Sequence, residues 1–178
     1  MSRVDHDSYS DEHVRSILAR VKTVAIVGAS ANTVRPSFFV LKYMLSKGYD
    51  VIPVNPGQAG KEICGQMTYA SLADTPRLVH MVDIFRASEA VPAVVDEVLA
   101  LDPLPKVIWM QLGVRHDEAA ARAEAAGIDV IMNRCPKIEY ARLCGEIGWA
   151  GVSSNVISSK KPKVQSGYQR YGIVPRKP

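Results

Sequence analysis

Residues 24–44, VAIVGASANTVRPSFFVLKYM, limit the fold more tightly than any other stretch. The first four, Val24 to Val27, are apolar on both faces, which is how a central parallel strand reads when helices cover both sides of its sheet. Gly28 ends that strand, a short polar turn follows, and Pro36 stands where the first turn of a helix tolerates it. Phe38, Leu41 and Leu45 then share one helical face, and Gly48 supplies a C-terminal stop. A strand of this kind needs parallel neighbours and crossover helices, so the unit has to recur along the chain.

It recurs four times. Strands are expected at 51–54, 78–84, 107–110 and 128–132. Between them lie expected helices at 88–101, with Pro92 near its first turn, and at 116–126, with Asp117 and Glu118 at its positive end and Gly127 closing it. Pro136 opens a last helix that ends near Gly145, and Ser10-Asp11-Glu12 caps a first one ending near Arg20. Short connections between alternating strands and helices imply an α/β fold, a Rossmann-like doubly wound sheet of five parallel strands. A chain of 178 residues, 47% hydrophobic, is long enough for one substantial core and too short for two. The organisation read from this is an N-terminal helical segment at 1–20, a single domain at 21–145 and an extended basic tail at 146–178. Gly, Ser, Lys and Pro dominate that tail, but Tyr168 and Tyr171 favour packing on the domain or on a partner subunit.

The charge balance is 22 Lys+Arg against 18 Asp+Glu, a net +4. Such mild basicity suits a phosphorylated small molecule and does not argue for nucleic acid. Cys64, Cys135 and Cys144 form no CxxC pair and read as free thiols, with no metal site implied. The polar start, Met1 to Glu12, has no apolar core of a signal peptide, and no apolar run approaches the ~18 residues of a membrane span. A cytoplasmic, unprocessed protein without membrane contact is expected.

In a doubly wound sheet, ligands bind at the carboxyl ends of the strands. The first such loop, Gly28-Ala29-Ser30-Ala31-Asn32-Thr33-Val34-Arg35, keeps the first glycine of the dinucleotide fingerprint G-x-G-x-x-G but has Ser30 and Thr33 in place of the other two. Gly28 still permits the tight turn, the helix start still offers N–H groups to a phosphate, Ser30 adds a hydroxyl and Arg35 a charge. After the second strand, Asn55-Pro56 stands where a nicotinamide-dinucleotide site places a carboxylate for the ribose hydroxyls. A ribose bearing a phosphate is not repelled there, and Lys61 lies in the following loop. The third strand ends in Phe85-Arg86, an aromatic face and a guanidinium, and the fourth in Gln111-Leu112-Gly113, an amide beside a glycine that allows close backbone approach.

Taken in order, "VGASANTVRPS", "GYDVIPVNP", "VDIFR", "VIWMQLGV" and "MNRCPKIEYARL" closely resemble the small bacterial CoA-binding domain proteins, stand-alone relatives of the CoA-binding domain of the succinyl-CoA synthetase alpha subunit. The match runs from about Val21 to Leu143. The resemblance implies a glycine turn that receives the phosphates of coenzyme A, with the other strand-end loops around the nucleotide. Carried over by position, it points to Gly28, Ala29, Ser30 and Arg35, then Asn55 and Pro56, then Phe85 and Arg86, then Gln111 and Gly113, with Lys61 left for the ribose phosphate.

The expected function is therefore binding of CoA or an acyl-CoA by a module without chemistry of its own, with a protein partner or homo-oligomer left open. The alternatives are an NADP-type oxidoreductase and a subunit of an acyl-CoA-handling enzyme. A ligase of the succinyl-CoA synthetase kind needs a phosphorylatable histidine in a further domain. His80 reads as a sheet-face residue and His116 as a solvated one at a helix start. Cys135 reads as a small buried apolar side chain and Trp109 as core.

Overall fold

The computed structural model of the protein describes residues 5–146, so the expected tail lies outside them but for Glu146. Helix α1, Asp11–Arg20, begins where the sequence places it: the Ser10 hydroxyl accepts from the His13 N–H at 3.2 Å, and Asp11 and Glu12 occupy the first turn. Strand β1, Thr23–Val27, leads into α2, Pro36–Ser46, and then β2, Asp50–Val54. Two very short strands, β3 (Glu62–Ile63) and β4 (Gln66–Met67), form an antiparallel hairpin that the sequence reading lacks. Its turn uses Cys64 and Gly65 at φ 51° and 76°. Two consecutive positive φ values normally draw Asn or Asp before Gly, and a cysteine there hides the signal.

The remaining elements are β5 (Met81–Ile84), α3 (Val91–Leu99), β6 (Val107–Met110), α4 (Asp117–Ala125), β7 (Asp129–Ile131) and α5 (Pro136–Leu143). Strand β5 begins three residues later than expected. Its partner β1 pairs Val24 with Met81 and begins at Thr23, so residues before His80 have no ladder to join, and Leu78 is exposed. The expected helix at 88–101 is a short 3₁₀ turn, Ser88–Ala90, followed by α3, because Pro92 sits in the first turn and cannot donate further back.

Five strands form one parallel sheet in the order β2-β1-β5-β6-β7, an α/β Rossmann-like fold in a single domain. Side chains alternate between its faces with the period of two expected of strands. Val24, Ile26, Met81, Trp109 and Ile131 pack with Val14, Ile17, Leu18, Leu41, Met44 and Tyr140, which come from α1, α2 and α5. Ala25, Ile52, Val82, Ile84, Ile108 and Val130 pack with Val94, Val95, Val98, Ala120 and Ala123 of α3 and α4. On α2 the buried stripe is Ser37, Val40, Leu41 and Met44; Phe38 and Leu45, expected on that face, are only half-buried beside it. Trp109 is fully buried and donates its indole N–H to the Arg134 carbonyl at 2.8 Å, which satisfies the one polar atom it carries into the core.

From β1 the chain winds outward to β2, and from β5 it winds the other way to β6 and β7. The reversal falls between β1 and β5, so the loops leaving their carboxyl ends diverge and leave a crevice between them.

Candidate functional site at the carboxyl ends of the strands

The crevice is a cleft of about 750 Å³. Gly28, Ser30 and Arg35 line it from the β1–α2 turn, Phe85 and Arg86 from the end of β5, and Gln111 from the end of β6. These six are residues the sequence reading singled out, and the topology brings them together. The turn is built by its own polar groups. Ser30 Oγ accepts from the Asn32 N–H at 3.2 Å, Asn32 Oδ1 accepts from the Val34 N–H at 3.1 Å, and the Asn32 carbonyl accepts from the Arg35 N–H at 3.0 Å. Among the described residues nothing accepts the Ser30 hydroxyl hydrogen, which leaves it for a ligand.

Gly28 has φ +88°, and a Cβ at that position would stand 2.6 Å from the Phe85 carbonyl oxygen. The contact is forced by the sheet: Phe85 N–H donates to the Val27 carbonyl at 2.8 Å and Gly28 N–H to the Val54 carbonyl at 2.9 Å, so three strands converge on the glycine. Only a residue without a side chain fits.

The start of α2 opens toward the cleft. Arg35 occupies the N-cap position without a side-chain cap, and no acid lies in the first turn. Helices α1 and α4 instead carry side-chain caps and two first-turn acids each. Pro36 has no N–H, and those of Arg35 and Phe38 donate to the Asn32 and Arg35 carbonyls, so among the described residues the Ser37 N–H is the one left at the helix start; with the positive end of the helix dipole and two arginines it makes an arrangement suited to an anion.

The other expected residues stand apart from the cleft wall. Ala29 is buried behind the turn, and Asn55 Nδ2 donates to its carbonyl at 2.7 Å while Asn55 Oδ1 accepts from the Gly57 N–H at 2.9 Å. Asn55 thus ties the β1 and β2 loops together. Pro56 and Lys61 are exposed around the 3₁₀ turn Pro56–Gln58. Gly113 has φ +78° with open space about it, and its N–H donates to Asn133 Oδ1 at 2.8 Å.

The structure adds residues that sequence reasoning passed over. Val34, Phe39 and Leu112 are exposed at the cleft mouth, and Lys137 and Ile138 close its far side beside Cys135, which the sequence reads as a small buried apolar side chain and which is buried here. Burial pushes the Cys135 thiol up to about 11, against the pull of the Ile138 and Lys137 N–H groups, so it stays protonated at neutral pH. Beneath the cleft lies Asp83, fully buried, with both carboxyl oxygens near Gln111 Nε2 at 2.9 and 3.0 Å. Its signal in the sequence is a single acid inside the apolar run MVDI.

The histidines lie elsewhere. His80 precedes β5 at the opposite end of the sheet, where its Nδ1 accepts from the Thr23 N–H. His116, expected as a solvated residue, is the N-cap of α4, with Nδ1 accepting from the Ala119 N–H at 3.2 Å. Among the described residues no three His, Cys, Asp or Glu side chains cluster as metal ligands would, and no helix is long and apolar enough to cross a membrane.

Residues 22–141 match the CoA binding domain family. The chain belongs to that family. The family match covers all five strands and every residue of the cleft wall named above. Among its relatives, this CoA-binding domain protein is 36% identical over 132 residues to YneT of Bacillus subtilis (strain 168), covering 74% of this chain and 95% of YneT. The structure of cell-free ID.343 from Thermus thermophilus is 38% identical with a TM-score of 0.72, covering 76% of this chain and 99% of that one. The dinucleotide forming acetyl-coenzyme A synthetase 1 of Ca. Korarchaeum cryptofilum is 25% identical with a TM-score of 0.53; the likeness spans 63% of this chain and 26% of the synthetase. Membership associates the protein with CoA as its small-molecule ligand.

Proposed function

We propose that the protein is a CoA or acyl-CoA binding module, with the diphosphate seated at the β1–α2 turn. The observation that carries this reading is the uncapped start of α2, free of acids, facing the same cleft as Ser30, Arg35 and Arg86. Phe85 offers a ring face for the adenine or the pantetheine arm. The missing carboxylate at the end of β2, where Asn55 is engaged with Ala29, sets the site against NAD and leaves Lys61 to meet the ribose 3′-phosphate. The module carries out no reaction of its own: the thiol of Cys135 is held protonated, and neither His80 nor His116 lines the cleft to activate it.

Titration calorimetry with three ligands tests the assignment. A charge-assisted hydrogen bond to a partly exposed phosphate is worth about 1.5 kcal/mol, so dephospho-CoA is expected to bind about tenfold more weakly than CoA, and NAD more weakly still. Arg35→Ala is expected to weaken CoA and dephospho-CoA by the same factor, since both carry the diphosphate. NAD binding as tightly as CoA would replace this reading with a nicotinamide-dinucleotide site.

A further inference from the structure

Asp83 sits in the middle of β5 with Ile26 of β1 and Trp109 of β6 as its register neighbours, and none of its surface reaches solvent. On this face α2 presents Ser37, Val40, Leu41 and Met44, none of them charged. Beyond β7 stands the Cys135 thiol, which Asp83 helps to raise, with Lys137 following it on α5. No cation bonds the carboxyl among the described residues; its hydrogen-bond partner is Gln111, which is itself 6% exposed and lines the cleft. Gln111 Oε1 has no hydrogen-bond partner among the described residues.

The two side chains connect a buried acid to the ligand space. A primary amide has a donor end and an acceptor end, and rotation about its last bond exchanges them. A carboxylate only accepts, so it draws Nε2 inward, as observed, and leaves Oε1 to the cleft. A neutral carboxyl carries an O–H, which at full burial needs an acceptor. Gln111 Oε1, on the amide that already bonds Asp83, is an acceptor that rotation about the last side-chain bond brings to it, and Nε2 then faces the cleft. Burial pushes the Asp83 carboxyl up to about 8, opposed by the Gln111 hydrogen bond, so both protonation states lie within reach near neutral pH, and the structure holds the arrangement that suits the ionised one.

We propose that Asp83 is a positioning residue that sets the hydrogen-bonding sense of the cleft through Gln111, so that a ligand carbonyl is selected while Asp83 is neutral and a ligand N–H once it ionises. The inference rests on the CoA reading for the identity of the carbonyl, which belongs to the pantetheine arm or to an acyl thioester.

One measurement is free of ligand. In nuclear magnetic resonance the Gln111 side-chain amide nitrogen is expected to titrate together with the Asp83 carboxyl carbon, and Asp83→Asn, nearly isosteric, is expected to abolish that titration. In calorimetry, CoA affinity relative to Asp83→Asn is expected to fall about tenfold between about pH 7 and about pH 9.5. Adenosine 3′,5′-bisphosphate, which lacks the arm, is expected to show the same profile in both proteins. A fall for CoA and acetyl-CoA alike assigns the pantetheine carbonyl, and a fall for acetyl-CoA alone the thioester. A Gln111 resonance indifferent to Asp83, or CoA and acetyl-CoA profiles that match in wild type and variant, overturns the proposal. If CoA fails to bind at every pH while Gln111 still titrates with Asp83, the CoA reading falls and the coupling of the two side chains stands.

Discussion

Gly28→Ala is expected to lower folding stability by about 3 kcal/mol and to remove measurable CoA binding. Two costs combine. A left-handed backbone at φ +88° costs an alanine about 1–2 kcal/mol, and the new Cβ would stand 2.6 Å from the Phe85 carbonyl oxygen. That oxygen belongs to backbone held in the sheet by the Phe85 N–H bond to Val27, so relief means prising β5 from β1 at the point where the cleft opens. Gly113→Ala is the matched control. It has φ +78° with nothing within 4 Å of its Cβ, so it carries the backbone cost alone, about 1–2 kcal/mol. Urea unfolding of the two variants separates the terms; equal losses would mean that the crowding against Phe85 is easily relaxed.

The second large effect is a fall in stability with rising pH, caused by Asp83. Its carboxyl is fully buried and pushed up to about 8 from an ordinary 3.8. Between those values the folded protein keeps a proton that the unfolded chain has released. The contribution is therefore fully present below the ordinary value and is lost as pH rises through the folded one, at up to about 1.4 kcal/mol per pH unit. Asp83→Asn replaces the neutral acid with a neutral amide that can still bond Gln111. The variant is expected to match the wild type below about pH 4, to gain on it steadily as pH rises from there, and to hold the full gap above about pH 8, where the native carboxyl carries a buried charge. Parallel curves of urea midpoint against pH for the two proteins would mean that the Asp83 carboxyl titrates alike in the folded and unfolded chains.

The strands were legible because each is a short apolar run bounded by a turn, and the glycine at position 28 announced the site. Elements whose shape depends on partners were less so. Nothing local says that β5 starts at Met81; the pairing of Val24 with Met81 decides it. The β3–β4 hairpin was hidden because Cys64 takes a conformation usually left to Asn or Gly. Within the cleft, Gly28, Ser30, Arg35, Phe85, Arg86 and Gln111 were found because strand-end position is readable from alternation. Val34 and Phe39 were not, since an apolar residue at a helix start looks the same whether it faces a core or a ligand. Asp83 stood in plain view in MVDI, but its lack of a cation partner among the described residues is a property of Ile26, Trp109 and α2, far from it in sequence.

Chemical-shift mapping of the backbone amides as CoA is added tests most directly whether the strand-end cleft is the CoA site. The largest shifts are expected at Gly28, Ser30 and the first turn of α2, at Phe85 and Arg86, and at Gln111 and Lys137, with the amides around Leu72, Arg77 and Asp102 at the opposite end of the sheet unmoved. No shift at millimolar CoA, or shifts confined to that opposite end, would contradict it.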